Sequence, residues 1–379
     1  MLKEMSRSDD RPSAPSFNQR LYNLLWRPSL LVAVAYLLFL AYFTISHHYQ
    51  LIDYVHIGTR FSLHDPHGTN GYDGQFYYYI ARDPLHAYRY MDSAPYRYQR
   101  ILFGIVIYVL SLGNASLIPF LMLFVNFLSI VLSVEIVSRL LARRNLSPWF
   151  SLALAFYFGQ TAALLFDTAE PFAILLLCAG LWCMDDENVT LAAIFMGLAA
   201  LTRETTIFFP LVYMLAFLWQ RRWSDAIRFL VLAILPLAAW YIVIWIIFGQ
   251  LGAAAAPAFE RIPFAGIFAY LSQYRYFLSL VALILIPTVG GWLYAVREVL
   301  RGNWRSSVFF IWVLNLILVT FMSATSYEDY VSCGRISTTL ILATLLYAWS
   351  NKDRWLLWAS QYYLLTVPLY VIGLRLIHT

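Results

Sequence analysis

Charge is scarce in this sequence: Asp, Glu, Lys and Arg make up 12% of its 379 residues, against 61% hydrophobic. That excludes an ordinary soluble domain, in which about a quarter of the residues are charged. Cysteine is scarcer still, and Cys178, Cys183 and Cys333 cannot build a disulfide framework. The histidines show no metal-ligand spacing. His47 and His48 are adjacent and His56, His64 and His67 are scattered, so no metal site and no cofactor is expected. There is no repeat of fixed period, no low-complexity tract, and no small-residue cleavage pattern after the first apolar run.

What is there is apolar sequence in long blocks, the pattern of an all-α polytopic membrane protein. A net charge of +5 and a pI near 9.0 fit positively charged cytoplasmic loops better than nucleic-acid binding. The expected organisation is a polar cytoplasmic leader, 1–27, followed by a single membrane domain, 28–379. Lys3, Arg7, Arg11, Arg20 and Arg27 precede the first apolar run, whereas Asp53, Asp65, Asp73, Asp83 and Asp92 follow it. This asymmetry puts the amino terminus in the cytoplasm and the loop 47–114 outside. Outside means the periplasm for a bacterial inner membrane, the setting the compact length favours, or the lumen in a eukaryote.

The apolar run 101–113 would cover only about 20 Å of a roughly 30 Å hydrocarbon core, so it is expected to be re-entrant or interfacial. Segments at 116–138, 148–166, 171–184, 189–201, 205–219, 226–248, 276–296, 306–323, 334–349 and 355–377 then bring the crossings to about eleven. Of these, 189–201 is short enough to be a half-helix meeting its neighbour inside the membrane.

On this topology the unusual polar residues gather outside: Asp73, Asp83, Arg97 and Arg100 in the first loop, Asp167 with Glu170, Arg203 with Glu204, and Glu328, Asp329 and Arg335. Ionisable groups at the bilayer cost several kcal/mol unless paired or hydrated, so several at one level suggest a shared polar cavity. Asp73 lies between Tyr72 and Gly74. It is either the turn residue of an Asp-Gly turn or a chemical group presented beside an aromatic helix. Asp83, before Pro84, reads as the helix stop. Arg97 and Arg100, three apart, either share a helical face suited to a phosphate anion or snorkel at the interface. Arg203 either pairs with an acid such as Asp167 or Glu170, or binds phosphate. Tyr327, Glu328 and Asp329 look like an ordinary loop leading to Arg335.

Tyr72-Asp73-Gly74-Gln75-Phe76-Tyr77-Tyr78-Tyr79-Ile80-Ala81, in the first external loop, resembles the Asp-Gly-x-x-Tyr-x-x-Ile-Ala signature of GT-C type membrane glycosyltransferases. The likeness is to those similar to the second mannosyltransferase of GPI-anchor synthesis and to related bacterial cell-surface glycopolymer proteins. Asp167-Thr168-Ala169-Glu170-Pro171-Phe172 is similar to the acidic turn of that family, and Ala199-Ala200-Leu201-Thr202-Arg203-Glu204 to its helix-break motif. The likeness covers about the first 210 residues of the chain.

It implies a bundle of membrane helices with an external catalytic face and a polyprenyl-phosphate-linked sugar donor. The sugar would be a hexose, with mannose as one candidate, and the acceptor a glycan, a lipid or a protein. Asp73 takes the family's catalytic position, that of a general base. The candidate substrate-binding residues are Tyr72, Gln75, Tyr78, Arg97, Arg100, Glu170, Arg203, Glu204 and Arg335, with one of the arginines holding the leaving phosphate. Some GT-C enzymes bind a divalent cation through paired acids, and Asp73 with Glu170 would be the pair here, but none is expected. Two other readings compete: a lipid-linked glycan or solute transporter, against which the one-sided polar clusters speak, and a non-catalytic glycopolymer assembly subunit.

Overall fold

The computed structural model describes residues 27–370. The leader therefore lies outside the described residues apart from Arg27, as does the end of the last expected segment beyond Tyr370. Among the described residues the fold is all-helical, without a strand. Five helices among the described residues are long and apolar enough to cross a membrane: Pro28–Ser46, Ala115–Ala142, Trp223–Phe248, Tyr274–Leu300 and Tyr330–Ser350. A sixth arises if Pro148–Ala155 and Phe158–Leu165, bent by 51° at their junction, form one span. The other apolar segments fold as shorter helices, among them Glu170–Asp185, Val189–Thr202, Glu204–Trp219 and Ser307–Thr320.

The helix starts follow local chemistry. The side chains of Asn188, Ser306, Asp329 and Asp353 each accept a hydrogen bond from a backbone N–H in the first turn of the helix they precede, satisfying a donor that would otherwise be orphaned. The bend before Phe158 is tolerated because the Thr366 hydroxyl accepts from the Phe158 N–H at 3.1 Å. The Tyr157 hydroxyl in the same break lies 2.6 Å from that of Ser337. Backbone freed by a break inside an apolar bundle needs such partners.

The central helix, Tyr330–Ser350, is buried along nearly its whole length. It packs against Ser307–Thr320 on one side and Phe158–Leu165 on another. A Cβ on Gly159 would lie 2.2 Å from the Gly334 carbonyl oxygen, so the two backbones meet directly, the close approach that small residues allow between membrane helices. By contrast, Pro28–Ser46 and Trp223–Phe248 expose Leu37, Leu38, Ile45, Ile242 and Ile246, which is the outward apolar face a lipid-bathed helix presents.

The loop 47–114 is folded against the bundle. Its helix Gly74–Arg82 carries Ile80 against Gly104 of Ile101–Ser111, and that 11-residue helix covers only about 16 Å. Gly74 anchors the arrangement, because a Cβ there would sit 2.4 Å from the Phe166 carbonyl oxygen and 2.9 Å from that of Val55. Only a glycine lets the loop helix begin directly on the turn before Glu170. At the opposite end of the bundle, Arg143 and Arg144 pair with Asp185, joining Ala115–Ala142 to Glu170–Asp185.

Candidate functional site

Asp73 precedes the loop helix but does not cap it: its side chain bonds no backbone N–H of that helix. The carboxylate is spent on two guanidiniums instead. Oδ1 accepts from Arg97 Nη1 at 2.9 Å and Oδ2 from Arg335 Nη2 at 2.6 Å. The turn-residue reading accounts for the backbone at Asp73, whereas these long-range bonds require something more.

The pairing continues in both directions. Arg97 holds Asp92 bidentately, through Nε at 2.8 Å and Nη2 at 2.7 Å, with its guanidinium 4.2 Å over the Phe76 ring. Arg335 donates from Nε to Glu170 Oε1 at 3.1 Å, and Arg203 Nη1 lies 3.2 Å from the same oxygen. The result is a row of alternating charge, Asp92–Arg97–Asp73–Arg335–Glu170–Arg203. Beside it Arg100 clamps Glu204, Nε to Oε2 at 2.7 Å and Nη2 to Oε1 at 2.6 Å, and also donates to the Tyr96 hydroxyl. The inner part of the row is incompletely satisfied: Glu170 Oε2, Arg203 Nε and Arg335 Nη1 are buried without a hydrogen-bond partner. Burial alone would raise the pKa of Asp73, but Arg97 and Arg335, with Arg100 behind them, overcome it and hold the carboxyl far below the usual carboxylate range.

Tyr72 forms the wall between two cavities. Its hydroxyl donates to Asp329 Oδ1 at 2.9 Å, and Arg335 lies 5.3 Å over its ring. On one side is a polar cleft of about 460 Å³ that includes Asp73, Asp92, Arg97, Arg60, Asn70 and Ser332. On the other is a cavity of about 420 Å³ walled mainly by aromatics, among them Phe43, Tyr49, Phe166, Tyr276, Tyr330 and Tyr370. Tyr72, Glu328 and Asp329 line both.

The structure gathers most of the sequence-derived set and corrects the rest. Tyr72, Asp73, Arg97, Glu170, Arg203 and Arg335 form one connected cluster, and Arg100 with Glu204 adjoins it. Gln75 lines the polar cleft beside Asp73, with its amide held by two segments of the loop, accepting from Gly58 N at 3.1 Å and donating to Asn70 O at 2.7 Å. Tyr78 points elsewhere, toward a separate cleft with Arg82 and Ser116. Arg97 and Arg100 do not share a helical face. The helix Ala94–Tyr98 ends before Arg100, and Arg100 pairs with Glu204 where Arg97 pairs with Asp73 and Asp92. Asp83 is structural: it receives the Leu85 and His86 backbone N–H groups after the helix end. The stretch at 327–329 is no simple loop, since Tyr327 is fully buried and Asp329 both caps the central helix and receives Tyr72. Asp73 and Glu170 both face Arg335, so a cation between them would have to replace that guanidinium. Among the described residues no three His, Cys, Asp or Glu side chains converge.

Sequence reasoning placed Asp329 among the external polar residues but read it as part of an ordinary loop, and it missed Ser332 and Asp92 as members of the site. Asp329 carries a legible signal, an acidic residue three before Ser332 at a helix start. Its contact with Tyr72, 257 positions away in the chain, carries none.

Asp167 stands apart from the charged row. It is fully buried in the left-handed region, φ 44°, and neither carboxylate oxygen is hydrogen-bonded. Desolvation pushes its carboxyl well above the ordinary value, only partly opposed by the Asn126 amide beside it. An acid raised in the folded state carries no penalty below its unfolded value of about 3.9. The penalty grows as pH rises past that value, so stability declines with rising pH. Asp167→Asn is therefore expected to leave the protein at least as stable as wild type at neutral pH and to flatten the decline in Tm above about pH 4. Thermal unfolding in detergent across this range checks it, and an Asn variant that melts below wild type would show the acid to be ionised.

No protein-family model matches the chain, and no curated protein or solved structure shows significant similarity to it.

Proposed function

We propose that the protein is an inverting GT-C type glycosyltransferase that moves a sugar from a polyprenyl-phosphate donor to an acceptor hydroxyl. The observation that carries this reading is the placement of Asp73, between two guanidiniums in a polar cleft that Tyr72 separates from an aromatic-lined cavity. A lipid-phosphate sugar has that dual character, with an anionic head and an apolar chain. The sequence signature around Asp73 supports the same reading.

In this reaction the acceptor oxygen attacks the anomeric carbon as the bond from that carbon to the phosphate oxygen breaks. The lipid phosphate leaves with the bonding pair, and the acceptor's proton passes to the Asp73 carboxylate. One carboxylate suffices, because phosphate leaves without the protonation that a sugar alcohol needs. Arg97 or Arg335 stabilises the charge developing on the phosphate.

Five full-length spans, the bent pair, the four shorter helices Glu170–Asp185, Val189–Thr202, Glu204–Trp219 and Ser307–Thr320, and the last expected segment, 355–377, bring the crossings to about eleven. The positive-inside bias supports an external position for Asp73, which is the periplasmic face where the membrane is a bacterial inner membrane.

The test is release of polyprenyl phosphate by the purified protein from a panel of lipid-phosphate sugars with candidate acceptors. Release that depends on both donor and acceptor is expected. A well-folded preparation that releases none from any donor, with acceptors covering glycans, lipids and peptides, would overturn the reading in favour of a transporter.

A further inference from the structure

The aromatic cavity across Tyr72 from Asp73 carries charge of one sign. Glu328 and Asp329 line it, and no Lys or Arg does. His56 is also in its wall, stacked 4.2 Å from the Phe166 ring, and burial lowers its pKa, so at neutral pH the imidazole adds no positive charge.

The two carboxylates differ in what they have left to bond. Asp329 is occupied: it accepts from the Tyr72 hydroxyl at 2.9 Å, from Ser332 N at 2.6 Å and from the Ser332 hydroxyl at 3.0 Å. The Glu328 carboxylate has no hydrogen bond or ion pair among the described residues, and it stands where cavity and cleft meet, since it lines both. Two of the lining tyrosines have their hydroxyls engaged elsewhere, Tyr72 on Asp329 and Tyr276 on the Tyr327 carbonyl. The Tyr276 and Tyr330 rings lie 4.8 Å apart at 48°. Ring faces are the negative ends of aromatic quadrupoles, and they attract a cation within about 6 Å of the centroid, most strongly where water is excluded.

These features together select one ligand class. A hydrocarbon would satisfy the rings and leave Glu328 without a counter-charge. A metal ion would find the carboxylates but, among the described residues, no convergence of three His, Cys, Asp or Glu side chains. An alkylated ammonium answers both the rings and the carboxylate. We propose that the aromatic cavity is a binding site for an organic cation, an ammonium group bearing alkyl substituents, with its charge at Glu328 and its alkyl groups against Tyr72, Tyr276 and Tyr330. The site goes beyond the transferase reading and does not depend on it. Phe43, Tyr49 and Tyr370 line the cavity but not the cleft, so aromatic wall remains for the apolar chain of a donor.

The test measures binding of choline to the full-length protein in a maltoside detergent by calorimetry, beside the alcohol in which a quaternary carbon replaces choline's nitrogen. The two probes share a shape and differ in charge. Wild type is expected to bind choline about tenfold more tightly or better, the scale of a desolvated cation–π site. Glu328 is exposed and makes no bond in the fold, so its substitution leaves folding intact. Glu328→Gln is expected to weaken choline binding about threefold or more, the upper range of an exposed charge pair, and Glu328→Lys to erase the preference for choline, with the alcohol unchanged in both. Repeating the titration in nanodiscs identifies the source of the cation. Choline binding lost in phosphatidylcholine discs but kept in phosphatidylglycerol discs identifies a lipid headgroup, and binding kept in both identifies a small soluble cation.

Equal binding of the two probes by wild type would overturn the inference and assign the cavity to an apolar chain alone. Choline that does not bind, or binds the Glu328 variants as it binds wild type, would overturn it as well. Choline binding without transfer from any donor removes the transferase reading and leaves the cation site standing, whereas transfer without choline binding does the reverse.

Discussion

Asp73→Asn is expected to reduce sugar transfer by about 10²- to 10⁴-fold, the usual contribution of a general base. The substitution keeps the size and one acceptor oxygen of the side chain but removes the charge and with it the basicity. Arg97 retains Asp92 and Arg335 retains Glu170, so neither guanidinium is left without a carboxylate. Expression and membrane insertion should accordingly stay close to wild type. Turnover of a lipid-phosphate sugar by matched preparations of the two proteins decides the matter, and comparable rates would remove Asp73 from the role of base.

Arg335→Ala is expected to have the largest effect on stability, on the order of 3–5 kcal/mol. Among the described residues Arg335 is the group that bonds both Asp73 and Glu170, and its loss leaves Glu170 with Arg203 as its one guanidinium neighbour within ion-pair distance. Breaking one side of a buried ion network strands its partners, which costs more than the network contributes when whole. A large fall in Tm and loss of monodispersity in detergent are the expected readouts. Combining Arg335→Ala with Glu170→Gln should recover part of the loss, because residues in one network are not additive. A single variant as stable as wild type would mean that water, and not the row of arginines, solvates these carboxylates.

Much of this architecture is legible before any coordinates. The apolar blocks mark the long helices, because a spanning helix needs about 20 consecutive apolar residues. The side chains of Asn188 and Asp353 announce helix starts through local capping, which spans only three residues of sequence. Arg203 and Glu204, being consecutive, were bound to diverge on leaving the helix, and they do so, toward Glu170 and Arg100. The failures are of another kind. Gln75 and Tyr78 look alike as polar members of an aromatic helix, yet Gln75 lines the cleft beside Asp73 with its amide held by the loop's own backbone, and Tyr78 lines a separate cleft.

The amino-acid sequence by itself determined that the protein is helical, that several of its helices are long and apolar enough to cross a membrane, and that Asp73 begins a helix in a polar loop between apolar ones. These properties depend on composition and on chemistry within a few residues along the chain. Only the tertiary structure decided that Asp73 is held by Arg97 and Arg335, that Asp329 rather than a ligand receives Tyr72, and that Asp167 has no ionic partner. Charge pairing acts through space over a few ångströms. Residues such as Asp73 and Arg335, 262 positions apart, become neighbours only when the packing of Gly74 on the Phe166 carbonyl and of Gly159 on Gly334 brings the loop and the central helix to the same turn.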